Sequence, residues 1–493
     1  MLNANAMNTR GVVLGKLRRH EEALASYDAA LAVAPVRADV MVNRGTALLD
    51  LDRIDEALAS FDAAIAREPE NLSALINRGN ACVRNDRLTD ALESYNRAQA
   101  IRPDRPSALI GRGIALAEMG RFEEAIACHD QALRLDPHIV AAHVNRGNAM
   151  IKFARVEEAL ANYNNALALE PENAEANFNA AIARLCLGDY SAGWEQYEYR
   201  WQKKQLKPQH REFSQPMWRG DKNLQGRTIL LHAEQGLGDS LQFVRYAPMV
   251  AALGARVLLA VPPALRELMC SVSGVAQVLT DGDATPDFDL HCPLLSLPLA
   301  FGTELETVPA EVPYLRPSRE GVEAWWPRMG AETGRLRVGL CWAGNPGHVN
   351  DRNRSLPLAH LADVLSLPNI DFVSIQREVK DEDAAILRDR GVLQLGQQFT
   401  NFSDTAAVVA LLDLVVAVDT SVAHLAGAMG KATALLLPFS PDWRWLLDRT
   451  DSPWYPSMRI FRQAAPGDWR GLAARLGDEL HDAAERRVAR LGQ

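Results

Sequence analysis

Three short segments carry residue types and spacings suited to holding a phosphorylated ligand. In the first, Asp419-Thr420-Ser421-Val422-Ala423-His424 follows the apolar run Leu414–Val418. A buried strand of that kind delivers Asp419 and Thr420 to the mouth of a cleft. Thr420 or Ser421 then caps a helix whose first amides are unsatisfied. Such amides, beside hydroxyls, make a ready site for a diphosphate. His424 lies one turn into that helix and can face the same cleft; the plain alternative is a capped helix with a core histidine. In the second segment, Gln235-Gly236-Leu237-Gly238-Asp239 follows the apolar run Thr228–His232. Its glycines permit a tight turn and close backbone approach to a ligand. Asp239 falls at the start of the next helix, facing the cleft. The third segment, residues 343–358, is long and cationic, and contains Gly344, Asn345, Gly347, Arg352 and Arg354. An arginine there offers bidentate geometry to phosphate. Gln376, closing the run Ser374-Ile375-Gln376, is placed either to meet a base or ribose or to cap its strand.

Other readings of these segments are weaker. Gly236 and Gly238 supply two glycines of a dinucleotide fingerprint, but Leu241 stands where the third belongs. The next strand ends Val261-Pro262-Pro263, with no acidic residue for a ribose. Both departures argue against a nicotinamide site. Asp287-Phe288-Asp289 has a metal-binding pattern, yet a helix N-terminus and Arg354 remove the need for a metal on the diphosphate. Trp443 to Trp445, Trp454 and Tyr455 either cover a ligand or pack the domain, with packing favoured.

Composition bounds the class. The chain has 493 residues, six scattered cysteines without a CxxC pair, and a formal net charge of −9. That excludes a disulfide scaffold or zinc ribbon, suits a reducing compartment, and argues against nucleic-acid binding. No apolar run reaches the roughly 18 residues that suggest a membrane span. The start, MLNANAMNTRG, lacks signal-peptide features, so a cytoplasmic location is expected. The basic cluster Arg200, Lys203, Lys204, Lys207 and Arg211 reads as a solvated linker.

The elements that must position these residues obey two patterns. In the first two fifths, Pro35, Pro69, Pro103, Pro137 and Pro171 recur every 34 residues. Gly11, Gly45, Gly79, Gly113 and Gly147 do the same, as do Ala23, Ala57, Ala91, Ala125 and Ala159. An aromatic slot holds Tyr27, Phe61, Tyr95, His129, Tyr163 and Tyr197. Each unit reads as two amphipathic helices ended by proline, with the aromatic filling space between neighbouring units. A sixth, degenerate unit leads into GWEQYEYRW at 193–201, whose aromatics are expected to dock the array onto the next domain. Asn43, Asn77, Asn145 and Asn179 share an outward slot, which Thr9 and Gly111 fill elsewhere. A ladder of side-chain amides can grip an extended backbone; a polar solvent face is the alternative.

From about residue 224, short apolar runs alternate with helical stretches. Strands are expected at 228–232, 256–261, 337–342, 371–375, 414–418 and 433–437, with helices at 240–253, 404–412 (capped by Ser403) and 421–429. Pro357 can begin a further helix. This alternation predicts doubly wound parallel sheets, split in two by the irregular stretch 309–334.

The repeats resemble the tetratricopeptide repeat, and the asparagine register resembles the ladder of the O-GlcNAc transferase array. The segment around Asp419 to His424 resembles the DTG-type helix of bacterial ADP-heptose transferases (glycosyltransferase family 9), with Ser421 in place of a glycine. The Gly238-Asp239 pair and Pro248 resemble that family's N-terminal half. The resemblance implies an all-α tetratricopeptide superhelix followed by an α/β module of two Rossmann-like domains in the two-domain GT-B arrangement. The implied layout is five repeats at 4–173, a sixth repeat and docking helix at 174–205, and a linker at 206–223. An acceptor-side domain at 224–316 and a nucleotide-sugar domain at 335–493 complete it. The resemblance further implies an inverting, metal-independent glycosyltransferase without a cofactor, the nucleotide diphosphate sugar being substrate. Asp239 would be the general base, with His232 and Glu234 as alternatives. Arg354 (or Arg352), Gly344, Asn345, Gln376, Asp419, Thr420, Ser421 and His424 would hold the donor. A protein partner would lie along Asn43, Asn77, Asn145 and Asn179. The rival expectations are a scaffold whose transferase domain does not turn over, and a lipid- or polysaccharide-modifying enzyme that uses the array only for assembly.

Overall fold

A computed structural model describes residues 4–203, 211, 213–348 and 350–491. The chain forms two compact units, Met1–Asn179 and Ala180–Gln493.

The first unit is entirely helical. Its helices are α1 (Ala4–Lys16), α2 (His20–Val33), α3 (Ala38–Asp50), α4 (Ile54–Arg67) and α5 (Leu72–Arg84). They continue as α6 (Leu88–Ile101), α7 (Pro106–Glu118), α8 (Phe122–Leu135), α9 (Val140–Lys152) and α10 (Val156–Leu169). Each 34-residue period is one pair, and consecutive helices pack along the whole series. The recurring prolines stand just beyond the second helix of each pair, where no further amide donor is needed. The glycine slot explains the aromatic one. A Cβ on Gly11, Gly45, Gly79, Gly113 or Gly147 would lie 2.4–2.6 Å from Tyr27, Phe61, Tyr95, His129 or Tyr163 respectively. Each ring therefore packs on the glycine of its own pair, not chiefly between pairs as the periodicity suggested. Tyr95 also reaches the next pair, lying 2.4 Å from where a Gly111 Cβ would be. That contact gives a physical reason for the glycine in an otherwise asparagine-rich slot.

Helix α11 (Ala174–Cys186) crosses the division, and α12 (Tyr190–Tyr197) lies in the second unit. There Trp194 packs edge-on to Tyr197, Trp443 and Trp454, so the sixth unit's aromatics belong to this unit's core. The basic cluster is not a solvated linker throughout. Arg200 is fully buried, bound by Glu234 at 2.9 Å and Glu198 at 2.5 Å. Lys204 and Lys207, and residues 206–210 and 212 of the expected linker, lie outside the described residues. Trp218, within the same expected linker, is buried and donates its amide to His291 O.

The second unit holds two sheets. The first joins β1 (Thr228–His232), β2 (Arg256–Ala260), β3 (Val275–Leu279) and β4 (Leu290–Pro293) in the order β3-β2-β1-β4. The other joins β5 (Leu336–Cys341), β6 (Ile370–Ser374), β7 (Leu393–Gln394), β8 (Leu414–Val418), β9 (Thr433–Leu437) and β10 (Met458–Arg462). Its order is β10-β9-β8-β5-β6-β7. Every pairing is parallel. In both, the chain lays strands outward from the first, then returns to its other side. The reversal falls between β1 and β4 and between β5 and β8. The central strands are apolar along their length because they are covered on both faces. Val338, Leu340, Phe372 and Val416 share a core with Leu472 and Leu476 of the long closing helix Trp469–Leu491.

Several boundaries differ from expectation. The helix expected at 240–253 is broken into Leu237–Phe243 (α13), a 3-10 turn Val244–Tyr246, and Ala247–Ala252, which contains Pro248. The stretch 309–334 contains a helix, Arg319–Trp325 (α14). Helix α15 (Phe402–Ala410) is capped by Asn401, which accepts from the Ser403 and Asp404 amides; Ser403 is inside the helix. Pro357 precedes only a 3-10 turn, Leu358–Leu361. Strands β3, β4, β7 and β10 were not anticipated. β7 is two residues long, and β10 carries Arg459 and Arg462 at alternate-face positions that mask its apolar character. No described helix is long and apolar enough to cross a membrane.

Candidate functional site

A cleft of about 710 Å³ opens where the loops after β1, β5, β6 and β8 meet. β1, β5 and β8 flank the two reversal points, and parallel sheets bind ligands outside the carboxyl ends of strands at such points. Asp239, Gly344, Asn345, Arg354, Gln376, Asp419, Thr420, Ser421 and His424 all line it. Four separated stretches of chain therefore converge on one space.

The loop after β1 turns through Gln235, whose φ is +58°, rather than through a glycine. Gly238 serves a close approach, but to protein. A Cβ there would lie 2.8 Å from His424, at the contact of α13 with the helix Ser421–Ala428 (α16). Asp239 Oδ2 accepts the Gly236 amide at 2.8 Å, and Oδ1 accepts from Arg444. Burial pushes the Asp239 carboxyl above its usual range, while Arg444 pulls it down. Arg444 is buried, bonds Gln242 at 2.7 Å and Asp442 at 2.8 Å, and lies over the Trp443 ring at 4.3 Å.

At α16, Thr420 is the N-cap residue but does not cap with its side chain. Its hydroxyl donates to Val418 O at 3.3 Å. The first amides of α16 are thus left uncapped by Thr420, and Ser421 is half-buried beside them. His424 is buried, shares a hydrogen bond with Tyr455 Oη at 2.9 Å, and lies 3.9 Å from Asp419 Oδ1. Burial, then Arg444, Arg245 and Arg354, hold it well below the imidazole range, so it is neutral. The Asp419 carboxyl is pushed up by burial and by neighbouring Asp442.

Arg354 closes the short helical turn Asp351–Arg354. It donates to Asp419 O at 3.1 Å and lies 3.4 Å from Asp351 Oδ1. A Cβ on Gly344 would lie 2.6 Å from Arg354 Nη2, so the glycine is what lets this guanidinium lie across the loop. Asn345 accepts from Gly347 N at 2.9 Å, shaping the loop from within. Gln376 is spent on structure: it donates to Ala343 O at 3.0 Å and accepts from Ala343 N at 3.2 Å.

The alternatives fall elsewhere. Neither Glu234 nor His232 lines the cleft; Glu234 is bound by Arg200, and His232 Nε2 lies 3.2 Å from His291 Nδ1. Asp287 and Asp289 are exposed and outside it, and Asp289 accepts from Thr228 N. Trp443, Trp445, Trp454 and Tyr455 are buried, as packing requires. Arg444 and Asp442 were missed as site residues. Both stand in a segment read only for its tryptophans, and nothing local ties Arg444 to an aspartate 205 residues away.

In the first unit the four asparagines are half-buried rather than freely outward. Asn43 donates to Asn8 at 3.0 Å, Asn77 to Thr46 at 3.4 Å and Asn179 to Asn148 at 2.8 Å, each linking successive pairs. Asn145 donates to Ala141 O in its own helix. Among the described residues nothing donates to their carbonyl oxygens.

The tetratricopeptide repeat family matches residues 8–59, 42–106, 106–139 and 151–209. The helical array is a run of tetratricopeptide repeats. Protein FlbA of Caulobacter vibrioides is 26% identical over 330 residues, covering 62% of this chain and 55% of that one. The chain thus spans about half the length of this relative. Among solved structures, the tetratricopeptide protein TTC0263 of Thermus thermophilus is 25% identical, covers 37% of this chain and 99% of its own, and has a TM-score of 0.35. YrrB, a tetratricopeptide protein with an unusual peptide-binding site, is 24% identical, covers 35% and 90%, and scores 0.29. PilW, a type IV pilus biogenesis factor, is 21% identical, covers 42% and 94%, and scores 0.37. The tetratricopeptide repeats suggest a protein-interaction scaffold.

Proposed function

We propose that the second unit is a heptosyltransferase-like module of two Rossmann-like halves in the GT-B arrangement, transferring sugar from a nucleotide diphosphate donor to an acceptor hydroxyl. The convergence of Asp239, Arg354 and the open N-terminus of α16 on one cleft carries this reading. Strand orders that reverse at the cleft in both sheets support it, since dinucleotide- and nucleotide-binding sheets use that place.

In the proposed reaction, Asp239 accepts the proton of the acceptor hydroxyl. The oxygen attacks the anomeric carbon from the face opposite the diphosphate, forming one carbon–oxygen bond as the other breaks, with inversion. The electron pair leaves on the diphosphate oxygen, which the α16 amides and Arg354 stabilise without a metal. Neutral His424 keeps α16 against α13. In this reading the tetratricopeptide repeats bring a protein partner or acceptor, and six free thiols suit the cytoplasm, where the donor would be met.

One observation favours a second reading, a scaffold whose transferase fold does not turn over. Both Asp239 oxygens are engaged, one of them by Arg444. Asp239→Asn separates the two. The enzyme reading expects retained donor binding with loss of nucleotide release in the presence of acceptor-bearing cell extract. Unchanged release removes Asp239 from the mechanism, and no release by the natural chain with any donor favours the scaffold.

A further inference from the structure

The tetratricopeptide repeats carry a second register, one residue after the asparagine slot. Arg44, Arg78, Arg112 and Arg146 occupy it in the inner repeats. Three of them are pinned in the same way. Arg44 Nε lies 2.6 Å from Asp28, Arg78 Nε 2.6 Å from Asp62 and Arg146 Nε 2.6 Å from Asp130, each aspartate being sixteen residues earlier on the preceding repeat. Their Nη1 atoms donate to Ser60, Ser94 and Asn162, sixteen residues later. These aspartates sit at the surface, with side chains 37–57% exposed.

The fourth repeat has the arginine without its partners. Asn96 stands in the aspartate position and is exposed, and Cys128 stands in the position of the hydroxyl or amide. Among the described residues Arg112 has no ion pair. It is half-buried like the others, so its guanidinium has lost part of its hydration without gaining a carboxylate. Burial pushes the Cys128 thiol up, and the Arg112 charge opposes this only in part while also acting weakly on Glu124. Glu124 does not replace the missing aspartate, because Arg121 binds it at both oxygens at 2.7 Å. Arg10, in the same slot of the first repeat, is exposed.

We infer that Arg112, on α7 sixteen residues after Asn96, receives a carboxylate from a partner, an acidic side chain of a bound peptide. The ligand supplies the charge that Asp28, Asp62 and Asp130 supply inside the other repeats. Guanidinium and carboxylate match in planar geometry, which makes the pair strong enough to select glutamate or aspartate over their amides. The net charge of −9 makes non-specific attraction of an acidic peptide unfavourable, so any preference for one must come from a local site.

The probe is a fluorescent peptide alternating glutamate with glycine, compared with its glutamine counterpart, measured by anisotropy on the full chain at low salt. The glutamate peptide should bind more tightly, and Arg112→Gln should weaken it by about tenfold or more, the scale of a lost charge-assisted hydrogen bond. Asn96→Asp is the decisive variant. It rebuilds the ion pair of the neighbouring repeats, so it should abolish the preference for glutamate while leaving the urea midpoint equal or higher. A misfolded protein cannot give that pairing of results. Equal binding of the two peptides by the natural chain, or unchanged binding in either variant, overturns the inference.

Discussion

Arg444, on the loop after β9, holds the carboxylate of Asp239, in the first turn of α13. The side chains are 9% and 16% exposed, so the pair is largely desolvated. Gln242 and Asp442 complete the arginine's hydrogen bonds, and the Trp443 ring covers its face. The carboxylate proposed as the base is thus oriented from the other sheet's loops.

Removing one partner of such a pair leaves a buried charge. Arg444→Met should cost about 3–5 kcal/mol of unfolding free energy. The double variant Asp239→Asn/Arg444→Met should cost less than the sum of the single changes, because the second removes the stranded charge. Urea unfolding of the four proteins measures the coupling. Additive single effects would mean that the contact contributes nothing.

His129 fills the aromatic slot of the fourth repeat, fully buried, with neither ring nitrogen hydrogen-bonded. Its neighbours are better satisfied: Tyr95 donates to Asn80 at 2.6 Å and Tyr163 to Asn148 at 2.9 Å. Ile114 stands where those asparagines would be. His129→Phe should therefore stabilise the repeats by about 1–3 kcal/mol, the cost of an unmet buried polar group. Burial lowers the imidazole to about 4, below the ordinary value near 6.5 in the unfolded chain. A depressed folded value means stability is present above about pH 6.5 and lost as pH falls toward 4. The advantage of His129→Phe should widen over that interval. A constant difference between pH 7.5 and 5 would show that His129 protonates equally in both states.

Much of this architecture was legible because it rests on local rules. A 34-residue period with fixed proline and glycine fixes helix pairs, and apolar runs such as Leu414–Val418 identify central strands. What hid were elements whose cause is tertiary. β7 exists only because β6 offers it an edge, and α13 ends early where Pro248 comes soon after. The cleft residues were readable as segments, since each stands just beyond a strand end. Their occupations were not. Gln376 was placed either to meet a ligand or to cap its strand and clasps Ala343, Thr420 looked like a cap but turns back to Val418 O, and Arg200 looked solvated but is buried between two glutamates.

The asparagine register now carries a structural cost as well as a functional expectation. Asn43, Asn77 and Asn179 link consecutive repeats, so each alanine substitution should lower stability by about 0.5–1.5 kcal/mol. Asn145→Ala, which loses a bond only within its own helix, should fall at or below the low end of that range. Urea midpoints of the four single variants test this. A peptide-binding defect in the quadruple variant counts for the groove only at temperatures where that variant remains folded.

We propose that the cleft binds a nucleotide diphosphate sugar through Arg354 and the α16 N-terminus. Calorimetric titration of the full chain with a panel of such donors, in the presence of chelator, measures this most directly. Saturable binding of at least one donor is expected, weakened by about 1.5–3 kcal/mol in Arg354→Ala, as for a lost charge-assisted contact. Binding that chelator abolishes while Arg354→Ala leaves it intact would overturn this donor site, as would no binding by any donor.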